Sequence, residues 1–430
     1  MGGSSRNPAK RIEDHHFHDE YVVKVSRRIV TINRERCVKC GFCESVSICH
    51  GGGKCIGCLA CYYACPYEAR VLRLEEVECG LIKITVDGVE YAVPEGFSVK
   101  EALEAIGIKF VEPGSKGLTA PCGLGGCWAC AVLIDGGLER ACITPVKYGM
   151  RVELDVEGVE PLRIVHGPQP HRIGGKATPW WEVDGVRYVE AAIWLAGCNL
   201  RCPQCQNYHV TYDNSSRPMT PLEAARRLTV CRKVYGTSGL AVSGGEPTLN
   251  RRWLIEFFRC LRNMNPGARL HLDSNGTILT RSYVDELVEA GCNNIGIEPK
   301  AIRLETYMGI TGIRDEELAK RYLENSWNIL EYVVSSYSDR VYVGAGFAYN
   351  PAWMSLEEVA EIGDRIASID PRLQVTVLDY FPIFRRRDIR RPAVSMMLEV
   401  KRVLEERGLR TVIVQTSVGH FGPGGRATPY

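Results

Sequence analysis

WLAGCNLRCPQCQNY, residues 194–208, puts Cys198, Cys202 and Cys205 on one short loop and brings no fourth cysteine with them. Outward from this loop the chain alternates. EAAIWLAG before it reads as a strand, followed by GLAVSGGEP (239–247), RLHLDSNGT (269–277), NNIGIEPK (293–300), RVYVGAGFAYN (340–350), LQVTVLDYF (373–381) and RTVIVQTS (410–417). The stretches between them read as helices. Thr220-Pro221-Leu222-Glu223 and Ser355-Leu356-Glu357-Glu358 are capping-box starts, and SYVDELVEAG closes on a glycine stop. Regular β–α alternation implies a parallel sheet with crossover helices, either an open doubly wound sheet or a full or partial barrel. Both architectures bind ligands at the carboxyl ends of their strands. That is where the three cysteines, Ser243-Gly244-Gly245-Glu246-Pro247, Asp273-Ser274-Asn275-Gly276 and Glu298-Pro299-Lys300 all fall. Three thiolates holding a four-iron cluster leave one iron without a protein ligand, and an open position is how a metal site accepts substrate. A Cys3His zinc site with His209 is the rival reading. It gives no reason for the motifs at the other strand ends.

The chain has 430 residues, enough for two to four domains, and 53 basic against 51 acidic side chains. So balanced a charge argues against nucleic acid or an anionic membrane as the main partner. No apolar run approaches the roughly 18 residues of a membrane span, and the first 20 residues lack the apolar core of an export signal, so a cytoplasmic protein is expected. The 19 cysteines fall mostly in tight clusters, a pattern of metal or iron–sulfur ligation in a reducing compartment.

CVKCGFCESVSICHGGGKCIGCLACYYACPYEA, residues 37–69, supplies eight thiols, Cys37, Cys40, Cys43, Cys49, Cys55, Cys58, Cys61 and Cys65, the ligand number for two four-iron clusters. Zinc is the alternative there. From about residue 80, two alternating strands turn at Asp87-Gly88 and lead to a short helix. A glycine-rich loop then carries Cys122, Cys127 and Cys130, and Cys142 returns across a hairpin at Asp135-Gly136-Gly137. The opening spacing is that of two-iron ferredoxins. The expected organisation is a polar tail over 1–20 with His15, His16 and His18, a two-cluster domain over 21–78, a [2Fe-2S] domain over 79–156, a proline- and glycine-rich linker or wrapping segment over 157–189, and the β–α domain over 190–430. GGKATPW (174–180) recurs as GGRATPY (424–430). Cys79, Cys231, Cys260 and Cys292 sit singly and read as packing residues. Arg385, Arg386, Arg387, Arg390 and Arg391 read as a solvated basic loop, with an acidic partner or a phosphate-bearing substrate as the alternative.

Residues 37–69 resemble a two-cluster bacterial ferredoxin. In that family the last cysteine of each run crosses over, which implies Cys37, Cys40, Cys43 and Cys65 on one cluster and Cys55, Cys58, Cys61 and Cys49 on the other. Five residues separate Cys43 from Cys49 where the family has three. The segment with Cys122, Cys127, Cys130 and Cys142 resembles β-grasp [2Fe-2S] domains, closest to the iron–sulfur subunit of succinate dehydrogenase or fumarate reductase. Residues 190–415 resemble the radical S-adenosylmethionine (SAM) superfamily, through CxxxCxxC followed by the GGEP motif, and within it the pyruvate formate-lyase activating enzymes and their AmmeMemoRadiSam relatives. That resemblance implies a partial (β/α) barrel, a third four-iron cluster on the catalytic Cys198, Cys202 and Cys205, and SAM on the open iron. It also implies SAM contacts from Gly244, Gly245, Glu246, Asp273, Ser274 and Asn275, with Lys300 facing the carboxylate. Gln204 stands where the superfamily usually has an aromatic residue, and Phe381 where activating enzymes have histidine. The implied activity is reductive SAM cleavage for hydrogen abstraction, from a glycine of a partner protein or from another substrate. The upstream clusters would feed it from an external low-potential electron donor. The alternative is a multi-cluster electron-transfer protein without SAM chemistry.

Overall fold

The computed structural model describes residues 10–11, 22–49, 54–112, 117–425 and 427–428; the histidines of the tail and the end of GGRATPY lie outside them. The chain divides into two compact units, Met1–Ile164 with Tyr212–Arg217, and Val165–Thr211 with Pro218–Tyr430.

In the second unit all seven expected strands form: β1 (Glu190–Leu195), β2 (Gly239–Gly244), β3 (Arg269–Ser274), β4 (Asn294–Ile297), β5 (Tyr342–Tyr349), β6 (Gln374–Asp379) and β7 (Thr411–Thr416). They pair in parallel and in sequence order. A doubly wound sheet reverses its strand order at a switch point; here there is no reversal, so right-handed crossovers put every connecting helix on the same face and the sheet curls. Antiparallel strands finish both edges, Arg163–His171 against β1 and Gly419–Phe421 against β7, so the barrel is partial.

The helix starts follow local chemistry. Thr220 accepts from the Glu223 N–H with Pro221 in the first turn, and Ser355 accepts from the Glu358 N–H. The Glu358 carboxylate does not close a capping box; it is buried, accepting from the Ile302 and Arg303 N–H groups and the Thr306 hydroxyl. Cys231 and Cys292 are core residues, with Cys260 packed against them at the margin.

From Val165 on, the segment expected as a linker or wrapping segment is built into this unit. After the edge strand, residues 174–178 thread between the barrel strands. The Lys176 N–H donates to Asp273 Oδ1 (3.2 Å) and the Ala177 N–H to His271 Nε2 (3.3 Å). The carbonyls of Lys176, Ala177 and Thr178 accept from the Gln374 and Asn294 side-chain amides. Backbone inside a barrel must find partners for its polar groups, and these side chains supply them. Glycines make the room: a Cβ at Gly344 would lie 2.1 Å from the Lys176 carbonyl oxygen, and one at Gly346 2.7 Å from Lys176 Cδ.

In the first unit, Val22–Ile32 pairs antiparallel with the long strand Arg70–Val86, and the short helices Phe42–Ser45 and Ala60–Ala64 lie between them in sequence. The same long strand turns at Asp87-Gly88 into Val89–Pro94, so the expected boundary at 78/79 falls inside a continuous strand. Asp87 (φ 46°) and Gly88 (φ 81°), and likewise Asp135 (φ 50°) and Gly136 (φ 83°), are left-handed, as two-residue type I′ hairpins require. Ser98 and Glu101 form a full capping box on helix Val99–Ala105, which packs over Ile84, Val93, Val132 and Val152.

Gly344→Ala should push the threaded segment out of register and lower stability by about 1–3 kcal/mol, the usual range for overpacking a filled interior. Thermal unfolding of the variant beside wild type checks this; an unchanged midpoint would show that the segment has room to shift.

Candidate active site and iron–sulfur sites

The cysteine loop leaves β1 through Gly197 (φ 84°), whose N–H is held by the Thr211 carbonyl. The Leu200 N–H points at Cys198 Sγ (3.3 Å), Arg201 donates to the Cys198 carbonyl (2.6 Å), and the N–H groups of Arg385 and Arg386 both donate to the Pro203 carbonyl. Part of the basic run is therefore a backbone brace for the loop. The three thiols line one cavity of about 330 Å³ with Gly244–Glu246, Asp273–Asn275, Glu298 and Lys300, so the residues expected to ring the mouth are brought together. His209 is exposed and does not line this cavity, which removes the fourth ligand of the zinc reading. Burial pushes all three thiols up, Cys202 to about 12 even with Lys300 acting against the shift. They are protonated at neutral pH until a metal displaces the protons, as thiolate ligation requires.

The glycines of SGGEP are there for close approach. A Cβ on Gly244 would lie 2.2 Å from the Leu195 nitrogen and one on Gly245 2.2 Å from the Gly197 oxygen; the N–H groups of Gly245 and Glu246 donate to the Leu195 and Gly197 carbonyls. The Glu246 carboxylate, expected among the cofactor contacts, is buried and welds two strand ends. It accepts from the Thr248 N–H and hydroxyl, the Ser274 hydroxyl (2.8 Å) and the Asn275 N–H (2.8 Å). The Asn275 amide in turn holds Asn199 of the cysteine loop.

A chain of alternating charge runs into this ring, buried at Glu190 and His271 and half-buried at Asp273, Lys176, Glu298 and Lys300. His271 lies 2.9 Å from Glu190 and 3.2 Å from Asp273, and Glu298 is clamped by Lys176 (2.9 Å) and Lys300 (2.7 Å). Burial alone would neutralise these groups, but each is outweighed by its neighbours. Glu190 and Asp273 raise His271 to about 9, the two lysines lower Glu298 to about 2, and Lys176 and His271 hold Asp273 below the usual carboxylate range. Asp273 and Lys300 were legible as site residues. Lys176, Glu190, His271 and Gln374 were not; the one available signal was the lysine inside the repeated GGKATPW. Lys300 also holds a left-handed backbone (φ 72°), strained for a lysine, at the carboxyl end of β4.

In the first unit Cys122, Cys127, Cys130 and Cys142 are all buried and close enough to couple: Cys122 acts on Cys127, and Cys130 on Cys142. The buried Arg163 and Arg140 bring positive charge to Cys127 and Cys130 respectively, which suits an anionic cluster. Around residues 37–65 the thiols are near neighbours: Cys65 lies close enough to act on Cys43, Cys49 and Cys55 on Cys58, and Cys43, Cys55 and Cys58 on Cys61. N–H donors point at sulfur, from Val30 and Gly57 to Cys55, from Ala69 to Cys65 and from the Arg70 guanidinium to Cys43. A donor set made only of thiols, sulfur-facing N–H groups and nearby arginines fits iron–sulfur clusters.

Comparison with known proteins agrees. Residues 193–349 match the radical SAM superfamily, and residues 81–157 match the 2Fe-2S iron–sulfur cluster binding domain. The chain thus carries a radical SAM domain and a 2Fe-2S domain. Its relatives include a protein of Methanococcus aeolicus named as a GTP 3′,8-cyclase, 34% identical over 131 residues, covering 30% of this chain and 42% of that one. Another, from Methanocaldococcus jannaschii, is named as a glycyl-radical enzyme activating enzyme, 25% identical over 191 residues and covering 44% of this chain and 72% of that one. The 7-carboxy-7-deazaguanine synthase of Hyperthermus butylicus is 26% identical over 202 residues, 43% of this chain and 82% of that one. The chain thus spans less than half the length of the cyclase. No helix among the described residues is long and apolar enough to cross a membrane.

A group whose pKa is raised by folding stabilises the fold below its unfolded value and loses that contribution as the pH climbs through the folded one. For His271 that window runs from about 6.5, the unfolded value, upward; its folded value is about 9. Between about pH 6.5 and 8.5, before unfolded-state cysteines ionise, the metal-free protein should lose thermal stability, and His271→Gln should flatten the slope. Parallel slopes in the two proteins would mean that His271 is neutral in the fold.

Proposed function

We propose that the second unit is a radical SAM enzyme in which Cys198, Cys202 and Cys205 hold a four-iron cluster with one open iron. What carries the reading is the convergence of three thiols from one loop with the SGGEP, DSNG and EPK strand ends in one cavity. The chemistry that cluster and SAM supply when bound is one-electron cleavage of the S–C5′ bond, giving methionine and a 5′-deoxyadenosyl radical that abstracts hydrogen.

The chain's residues do the rest. The three thiols give up their protons on ligation. Lys300 lines the cavity and is held by Glu298, which it shares with Lys176, so it is the cation placed to meet the SAM carboxylate. Gly244, Gly245, Asp273, Ser274 and Asn275 line the cavity where the rest of SAM would lie, and the threaded segment 174–178 closes the barrel beneath it, excluding water. The eight thiols from Cys37 to Cys65 hold two four-iron clusters, and Cys122, Cys127, Cys130 and Cys142 hold a two-iron cluster. These form an electron relay charged by an external low-potential donor. The substrate is a glycine of a partner protein or another hydrogen donor; the relative named as an activating enzyme supports the first.

Anaerobically reconstituted protein should hold about fourteen irons per chain, from three four-iron clusters and one two-iron cluster. With SAM and dithionite it should release 5′-deoxyadenosine, seen by mass spectrometry, and Cys202→Ala should abolish that product. Fully iron-loaded protein that binds no SAM would instead be an electron-transfer protein, and an iron count near four would remove the relay.

A further inference from the structure

Residues 212–217 leave the cysteine loop and belong to the first unit, not to the barrel that flanks them in sequence. At their centre is Asn214, 1% exposed. Its side chain faces two cluster loops. Nδ2 donates to the Leu124 carbonyl (2.9 Å), between Cys122 and Cys127, and Oδ1 accepts from the Ile48 N–H (2.8 Å), next to Cys49. Its backbone repeats the pattern: the N–H donates to the Val46 carbonyl (2.8 Å), and the carbonyl accepts from Arg140 Nη1 (2.8 Å), two residues before Cys142. Arg140 also donates to the Gly125 carbonyl (3.2 Å) and stacks over Trp128 at 4.6 Å. Gly125 is left-handed (φ 85°), and a Cβ there would lie 2.5 Å from Ile143 Cδ1 and 3.2 Å from Asn214 Cβ, so this loop has no slack. Ser215 adds a bond from its hydroxyl to the Ser45 carbonyl (3.0 Å).

Two opposite demands meet on one side chain. The Leu124 carbonyl needs a donor and the Ile48 N–H needs an acceptor, and an asparagine amide offers the two on separate atoms of one planar group. Aspartate keeps the acceptor and sets an anion against the Leu124 carbonyl; leucine of similar volume satisfies neither group. Either change leaves a buried polar group unpaired, which costs far more than a solvated hydrogen bond is worth.

We infer that Asn214 is a positioning residue for electron transfer, fixing the spacing between the four-iron cluster loop at Val46–Cys49 and the two-iron cluster loop at Cys122–Cys127. The inference rests on the relay reading above. Asn214 ligates no iron and touches no substrate; its role is to make two separately ligated loops into one body, so that the gap an electron crosses does not fluctuate. The chain thereby ties that body to Cys205 through eight intervening residues.

The test uses the full chain, anaerobically reconstituted and reduced with titanium(III) citrate, as wild type, Asn214→Asp and Asn214→Leu. Wild type should show magnetic coupling between the reduced two-iron cluster and a four-iron neighbour, read as enhanced spin relaxation in electron paramagnetic resonance. Both variants should keep their iron and the spectral positions of each cluster. They should lose coupling, and electron transfer between the two clusters after a substoichiometric pulse of reductant should be slower than in wild type. Unchanged coupling and rate in both iron-replete variants would overturn the inference. So would iron loss in Asn214→Asp, which would make the residue a support for the ligands and not a spacer. SAM plays no part in these readouts, so absence of 5′-deoxyadenosine from wild type sinks the radical reading alone, whereas absence of the first-unit clusters from wild type sinks the relay and this inference with it.

Discussion

Burying six ionisable side chains in a barrel is tolerable only if each charge is answered by its neighbour, and on that constraint the second unit depends. A lone buried charge costs several kcal/mol or shifts to its neutral form. Here Glu190, His271, Asp273, Lys176, Glu298 and Lys300 alternate in sign, so the row is neutral as a whole. Four of the six come from strands or strand ends of the barrel, Lys300 from just beyond β4, and Lys176 from the threaded segment. Without residues 174–178, Asp273 would lose a backbone donor and Glu298 one of its two cations. The segment is therefore part of the barrel's electrostatics, and the glycines of β4 and β5 follow from its presence.

Much of this architecture could be read from the sequence because it rests on local rules. The seven strands announce themselves by apolar runs between caps and glycine stops, and the hairpins at Asp87-Gly88 and Asp135-Gly136 by residues that tolerate left-handed backbone. What the sequence left open was the choice between a doubly wound sheet and a barrel, because periodicity is identical in the two; strand order decides it, and order is a tertiary fact. The cysteine sets were equally legible, since ligand spacing within a loop is local. The partner of each distant cysteine is not; it came from the family resemblance, and the fold adds that Cys65 lies near Cys43 and Cys49 near Cys58.

Residues 157–189 show where such reading fails. Prolines and glycines punctuate a flexible connector and a backbone threaded through a barrel in the same way, because both avoid regular secondary structure. The difference lies in the partners, Gln374, Asn294, His271 and Asp273, more than ninety residues away in sequence. Glu246 shows a different limit: a motif states which residues gather, and not what each side chain does there. Glu246 lines the cavity, and its carboxylate also joins the ends of β2 and β3.

Asn214 extends that lesson to a residue that no motif contains. A single asparagine in a polar stretch carries no sequence signal, and beside it the Ser215 N–H and hydroxyl both donate to Asp213 Oδ1. Its importance comes from an accident of chemistry that only the fold reveals, a buried carbonyl on one side and an N–H on the other. Clusters held by thiolates alone are insulated from one another by the loops that wrap them, and loops are the mobile parts of a protein. A relay assembled from such loops needs something rigid between them. Two side-chain-to-backbone bonds on one buried amide, one donated and one accepted, are about the smallest device that supplies it.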